Sequence, residues 1–325
     1  MAESSELTLH SLGERETLAR ILPLLPGSPL LTVGPGDDSA VIQLHTPELV
    51  TSCDMMVEGP DFRRDWSRPD QIGYKAMTSN LADIAAMGAV PVGVIVALAA
   101  PPETPVQDVV GLARGIAKGL AEMAPGAGVL GGDLSTAPVL TLSVTVIGDL
   151  EGRNPVLRSG AQVGDVVAVT GVPGRSQRGY LLLEEATSRY GESLPEEARK
   201  ELVSHPDVQH HLAPTTDLSL GVAAAQAGAH ALMDVSDGLV LDATRMAEAS
   251  GVRIDFDTDA VIDEAWLMGG EDHGFLATFS SSQPLPEGFD AVGRVVENQD
   301  HQSVTVGGQP PEVERGGWDP YRDSK

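Results

Sequence analysis

Cysteine, aromatic side chains and positive charge are all scarce in this chain, and each shortage removes a class of protein. A single cysteine, Cys53, leaves no disulfide framework and no cysteine-based zinc site within one chain. Aromatic residues make up only 4% of the 325, so the core has to be built from Ala, Val, Leu and Ile. Only 21 Lys and Arg stand against 47 Asp and Glu, a net charge of −26 that suits neither nucleic acid nor an anionic membrane as partner. No run is apolar and long enough to span a bilayer. The N-terminus has neither the basic start nor the apolar stretch of a signal peptide, so a cytoplasmic location is expected by elimination. Several catalytic signatures are missing too. There is no P-loop G-x-x-x-x-G-K-[ST], no H-R-D or D-F-G pair, no H-E-x-x-H, no G-x-S-x-G, and no D-x-D-x-D-G calcium loop with a distal Glu.

What remains is an ordinary globular composition, 42% hydrophobic and 21% charged, at a length that suits two domains. Apolar spacing predicts helices over residues 14–25, about 67–87, 109–120 and 239–250, and strands over 49–52, 92–99, 140–146 and 166–170. The second helix is the best marked. Ser67, Pro69 and Asp70 read as a capping box with proline in the first turn, and Gly88 and Pro91 read as a stop. Residues 190–214 are polar and read as a loop or a loose helical excursion, with His210 and His211 on the surface. The polar Gly/Pro turn at 151–155 is the candidate boundary between a domain of residues 1–150 and one of 151–325. Helices mixed with alternating strands, without strict alternation, point to an α+β, α/β two-domain chain.

Five places carry an aspartate beside Gly, Ser or another Asp near the end of an expected element: Asp37-Asp38, Asp54, Asp83, Gly131-Gly132-Asp133 and Asp234-Val235-Ser236-Asp237-Gly238. Magnesium takes hard oxygen ligands and keeps several waters, commonly using one or two carboxylates plus substrate phosphates. Scattered aspartates gathered by a fold suit it better than one compact loop. Each place also has an ordinary structural use. Gly-Asp-Asp and Gly-Gly-Asp occur in turns, and Asp before a helix caps it. Asp83 is the most telling, because a carboxylate near the end of an apolar helix opposes the helix dipole unless a cation is close.

In order along the chain, several segments together resemble the thiamine-monophosphate kinase family. They are Gly36-Asp37-Asp38-Ser39, Ser52-Cys53-Asp54 with Val57-Glu58-Gly59, Gly73-Tyr74-Lys75-Ala76, Asn80-Leu81-Ala82-Asp83-Ile84-Ala85-Ala86-Met87-Gly88, Gly131-Gly132-Asp133, Leu157-Arg158-Ser159-Gly160, Asp234-Val235-Ser236-Asp237-Gly238 and Gly269-Gly270-Glu271-Asp272. That family sits in the superfamily of aminoimidazole ribonucleotide synthetase and selenophosphate synthetase. The resemblance implies a homodimer joined through the sheet of an N-terminal mixed α/β domain, residues 1–150, that binds metal and nucleotide. It implies a C-terminal α+β domain, residues 151–325, that completes the nucleotide and substrate site. Several Mg2+ ions would be held around ATP by Asp38, Asp54, Asp83, Asp133, Asp234 and Asp237, with Asp37, Ser52 and Cys53 beside them. Gly132, Asp133, Arg158 and Ser236 would touch ATP, and Asp61, Glu271 and Trp318 would touch thiamine monophosphate. The implied reaction is direct transfer of the γ-phosphoryl group to the phosphate of thiamine monophosphate, with no side chain acting as nucleophile.

The chain differs from the family at identifiable points. Asp61-Phe62 stands where His-Phe is usual, Cys53 replaces a Thr, and His273-Gly274 replaces Tyr-Glu. Two other readings follow from these differences. One is a kinase of the same superfamily for another small phosphorylated molecule. The other is a nucleotide-binding homologue without turnover. Retained aspartates speak against the second, and formation of thiamine diphosphate separates both from the family reaction.

Overall fold

The computed structural model describes residues 7–35, 39–191, 195–298, 301–311 and 317–318. The chain divides into two compact units. The first comprises residues 1–81 and 91–149, and the second comprises 82–90 and 150–325.

In the first unit, α1 (Leu9–Leu12) and α2 (Glu14–Ile21) precede a short antiparallel pair, β1 (Leu31–Val33) and β2 (Val41–Ile42). Its main sheet has four strands in the order β3-β6-β4-β5: β3 (Val50–Val57), β4 (Val90–Ala100), β5 (Gly128–Thr136) and β6 (Thr141–Asp149). Two helices go with it, α3 (Pro69–Ala85) and α4 (Val106–Met123). Alternation in β6 is strict: Leu142, Val144 and Val146 are buried while Thr141, Ser143 and Thr145 are only half-buried. β3 runs antiparallel to β6, from Val50 opposite Gly148 to Val57 opposite Thr141.

α3 forms where the sequence predicts but starts with different chemistry. Gln71 Oε1 accepts the Arg68 amide at 2.9 Å, and Asp70 pairs with the Arg68 guanidinium, so the reciprocal bond comes from Gln71 rather than from a Ser67–Asp70 box. The helix ends in a Schellman pair. Gly88 N donates to Ala85 O at 2.8 Å and Ala89 N to Ile84 O at 3.3 Å, with Gly88 left-handed at φ 74°.

β5 corrects a sequence expectation. Gly131-Gly132-Asp133, read as a turn, lies inside a strand parallel to β4, with Gly132 opposite Val96 and Asp133 opposite Ala97. The register steps by one residue between Val129 and Gly131, which makes Leu130 the extra residue of a β-bulge. Glycine is required at 132 because a Cβ there would lie 2.0 Å from Val96 O.

The second unit carries a six-stranded sheet in the order β12-β9-β11-β7-β10-β8. Its elements run β7 (Val166–Thr170), α5 (Arg175–Tyr190), α6 (Glu196–Ser204), α7 (Pro206–Leu212), α8 (Ser219–Gln226), β8 (Ala231–Asp234), α9 (Leu239–Ser250), β9 (Arg253–Phe256), α10 (Glu264–Met268), β10 (Phe275–Phe279), β11 (Phe289–Val296) and β12 (Val304–Val306). All pairings are antiparallel except β12 with β9. α9 buries Leu239, Ala243, Met246 and Ala247 in a core shared with Val167, Ile254 and Phe256. The Phe256 ring meets Trp266 edge to face at 5.5 Å. Residues 196–212, expected to be loop or loosely helical, form α6 and α7, and α7 packs on α5.

Candidate functional site

In the first unit, Ser52, Cys53 and Asp54 sit mid-strand on β3, so Cys53 projects opposite to Ser52 and Asp54. The Asp54 amide donates to Asn80 Oδ1 at 3.2 Å, which ties β3 to α3, and Asp54 Oδ1 accepts the Met55 amide at 2.8 Å. Cys53 Sγ lies 3.6 Å from Ser143 Oγ. Asp133 is exposed on β5. Asp37 and Asp38 lie outside the described residues.

Asp61 folds back on its own loop. Its Oδ2 accepts the Val57 amide at 2.7 Å, and its carbonyl accepts the buried Lys75 Nζ at 3.1 Å. The neighbouring arginines are engaged as well. Arg63 forms a bidentate pair with Asp65 and lies over the Trp66 ring, while Arg64 pairs with Asp108.

In the second unit two loops are zipped together. β8 ends at Asp234, paired with Phe275 at the start of β10, and the ladder continues past both strands. Val235 N donates to Gly274 O at 2.8 Å, His273 N to Val235 O at 3.0 Å, and Glu271 N to Ser236 O at 2.7 Å. This fixes Asp234, Ser236 and Asp237 relative to Glu271. Two non-glycine residues of the second loop are left-handed, Glu271 at φ 62° and His273 at φ 54°. Such backbone strain concentrates at functional sites and persists only where the surroundings hold it. Trp318 donates its amide to Asp237 O at 2.8 Å and leaves its side chain exposed. Arg158 is exposed, and its carbonyl accepts Ser250 Oγ.

Asp242, absent from the sequence candidates, organises the first of these loops. It is fully buried in the first turn of α9, and Oδ2 accepts the amides of Ser236 (3.0 Å) and Asp237 (3.1 Å). Arg245 Nη1 joins Asp242 Oδ1 (2.7 Å) to Asp237 Oδ2 (2.6 Å). Burial first, then the charge of Asp234, pushes the Asp242 carboxyl up to about 6, against the pull of the Asp237 amide and Arg245. The spacing of Asp237, Gly238 and Asp242 was the available signal: a second aspartate one helical turn past a Gly-started helix can reach back to the amides before it.

His273 is buried, with Nδ1 3.3 Å from Asp234 Oδ2. Burial lowers its pKa, but the hydrogen bond and charge of Asp234, with Glu271 and Asp83 adding, outweigh that and leave the imidazole raised. Asp83 therefore acts electrostatically on the same histidine as Asp234.

The expectation that His210 and His211 are surface residues is corrected. α7 turns both inward: His210 Nε2 lies 3.3 Å from Asp272 Oδ1, and His211 Nδ1 lies 2.9 Å from Ser176 Oγ. Asp272 in turn accepts the amides of Gly174 and Ser176 (2.8 Å), which caps the N-terminus of α5. No periodicity in the polar 190–214 stretch signals this, because the burying partner lies in a distant loop.

Among the described residues, no three His, Cys, Asp or Glu side chains converge into a metal-binding group. Magnesium does not require three, since substrate phosphates complete its shell. In the second unit Asp234 and Asp237 lie close enough to Asp242 to raise its pKa, while Arg245 pairs with Asp237 and Asp242 and His273 lies against Asp234. No helix among the described residues is long and apolar enough to cross a membrane.

A family model described as AIR synthase related protein, N-terminal domain, matches residues 36–150, and its C-terminal counterpart matches residues 162–300. Thiamine-monophosphate kinase of Mycobacterium tuberculosis is 40% identical over 307 residues, covering 89% of this chain and 87% of its own length. The enzyme of that name from Corynebacterium glutamicum is 39% identical over 324 residues, covering 94% and 92%. Among solved structures, AaThiL complexed with AMPPCP and TMP superposes with a TM-score of 0.71 at 29% identity, covering 97% of this chain and 99% of that one. Agreement in sequence and fold over nearly the whole length makes this chain a member of the thiamine-monophosphate kinase family, and a phosphotransferase of the kinase type.

Proposed function

We propose that this protein phosphorylates thiamine monophosphate with ATP. An oxygen of the acceptor phosphate attacks the γ-phosphorus in line, the bond from the γ-phosphorus to the β–γ bridging oxygen breaks, and ADP leaves as thiamine diphosphate forms. The acceptor oxygen is already anionic, so no side chain need remove a proton or act as nucleophile. Two relatives about 40% identical carry the name of this activity, and a solved neighbour holds AMPPCP and TMP. The observation in this chain that carries the reading is the pair of zipped loops, which fixes the aspartates of 234–237 beside Glu271.

Asp38, Asp54, Asp83, Asp133, Asp234 and Asp237 are the residues that would hold Mg2+, with Asp37, Ser52 and Cys53 beside them; Cys53 contributes least, as a thiol is a poor ligand for this ion. Bound there, the ions supply charge neutralisation to the phosphates. Gly132 and Asp133 would meet the nucleotide on β5, and Arg158 and Ser236 provide donors. Glu271 and Trp318 orient the acceptor, with Asp61 at its phosphate end. The protein acts as a homodimer in the cytoplasm, and β3, eight residues at a sheet edge, supports the dimer. The test is incubation with ATP, Mg2+ and thiamine monophosphate, followed by chromatography for thiamine diphosphate. Stoichiometric product is expected, and its absence under conditions where ATP binds would overturn the reading. The carboxylate at Asp61 favours one competing reading, a kinase of the same superfamily for another small phosphorylated molecule, for which ATP would be turned over with that acceptor and not with thiamine monophosphate.

A further inference from the structure

Two consecutive histidines face two consecutive carboxylates. His210 Nε2 lies 3.3 Å from Asp272 Oδ1, with both side chains almost wholly buried. His211 Nδ1 lies 3.8 Å from Glu271 Oε2, too long for a hydrogen bond but within electrostatic contact, while the His211 side chain is largely buried and Glu271 is 37% exposed. The two acids belong to the loop whose backbone is left-handed at Glu271. Asp272 is spent on the α5 amides, so its role is anchoring. Glu271 is the member left facing outward.

His211 is itself held firmly. Its Nδ1 is 2.9 Å from Ser176 Oγ, and its ring meets Tyr180 edge-on at 5.7 Å. α7 and α5 approach closely below it, since a Cβ on Gly179 would lie 2.1 Å from Asp207 O and 2.9 Å from His211 Cβ. The imidazole is therefore a rigid wall at a fixed place, and a carboxylate against it loses rotamers. Restricting a binding group before the ligand arrives lowers the ordering cost on binding.

We propose that His211 is a positioning residue for the acceptor: by holding Glu271 in one orientation it sets affinity for the phosphorylated acceptor without touching the nucleotide. This rests on the reading above that Glu271 contacts the acceptor. The required measurements are KM for thiamine monophosphate, KM for ATP and kcat, on wild type, H211A, H211N, E271A and H211A/E271A. H211A is expected to raise KM for thiamine monophosphate about tenfold, an increment of about 1.4 kcal/mol, with KM for ATP and kcat near wild type. H211N keeps a polar atom close to the Nδ1 position and should restore most of the affinity. The double variant should be no worse than E271A.

If E271A raises KM for the acceptor and H211A does not, the positioning role is wrong while the proposed function stands. If E271A leaves that KM unchanged, the assignment of Glu271 fails, and the positioning role with it. If H211A raises both KM values or lowers kcat alike, His211 is only structural. Should H211A melt early, S176A carries the test. It removes the hydroxyl that fixes the imidazole, and KM for the acceptor should rise severalfold; an unchanged value overturns the proposal.

Discussion

Arg245 places one nitrogen, Nη1, 2.6 Å from Asp237 and 2.7 Å from Asp242, so a single guanidinium neutralises a carboxylate expected to bind metal together with the buried one that shapes its loop. Arg245→Met should expose both charges to each other. The guanidinium is 38% exposed, so solvent screens part of the loss, and the expected cost in chelator is about 1–2 kcal/mol. Magnesium should restore more stability to the variant than it adds to wild type. Melting curves with EDTA and with Mg2+ decide it. An equal Mg2+ increment in both proteins would show that Asp237 does not bind the ion.

Asp83→Asn keeps the shape of the side chain and removes its charge at the C-terminal end of α3. Loss of an unfavourable dipole contact is worth about 0.3–1 kcal/mol, offset by the lost attraction to His273. The melting temperature should therefore move by no more than about 3 °C, while kcat falls at least about a hundredfold, the size of one lost charge contact in the transition state. Full-speed turnover in a steady-state assay would mean that Asp83 serves the fold alone.

At Asp61 the useful substitution is Asn. The Asp61 carboxylate accepts the Val57 amide at 2.7 Å, and Asn retains an acceptor oxygen for that bond while losing the charge that would oppose an acceptor phosphate. Asp61→Asn should lower KM for thiamine monophosphate severalfold and leave KM for ATP alone. Asp61→His, which matches the usual family residue, should cost about 1 kcal/mol of stability because the loop amide loses its partner. Paired substrate titrations test this. A raised acceptor KM in the Asn variant would mark the charge as productive.

In chelator, two groups make stability fall as pH rises. The Asp242 carboxyl goes from an ordinary 3.8 to about 6 on folding, so the folded state holds its proton longer, and a cost of about 3 kcal/mol develops between those values. His273 is raised by folding, so its contribution is complete below 6.5 and is lost as pH climbs through the folded value. Denaturant melts at pH 5, 6, 7 and 8 should show a decline, shallower above pH 6.5 in His273→Gln. Identical slopes there would exclude His273 as the titrating group.

The sequence showed the elements whose limits are written locally, and missed the side chains whose surroundings are set by distant segments. β7 over Val166–Thr170 and α9 over Leu239–Ser250 match their expected limits, because an apolar run or stripe bounded by glycine states its own ends. Asp83 was readable as unusual from local physics alone. Asp242 was passed over because an acid in the first turn of a helix looks ordinary until its burial is known. His210 and His211 read as solvated because their polar surroundings in sequence are not their surroundings in space.

The extra residue at Leu130 carries a consequence for how β5 can vary. Residues paired across neighbouring strands show their side chains on one face, so Asp133, opposite Ala97, is aimed by β4 and not by the number of residues before it. A variant lacking Leu130 would close the bulge and keep Gly131 to Thr136 on their present partners. Its cost would fall elsewhere: Leu130 is buried, and its side chain fills the space that Gly93 leaves open, where a Cβ would lie 2.6 Å from it. The bulge is thus a device for adding one apolar side chain without redirecting the carboxylate three residues on.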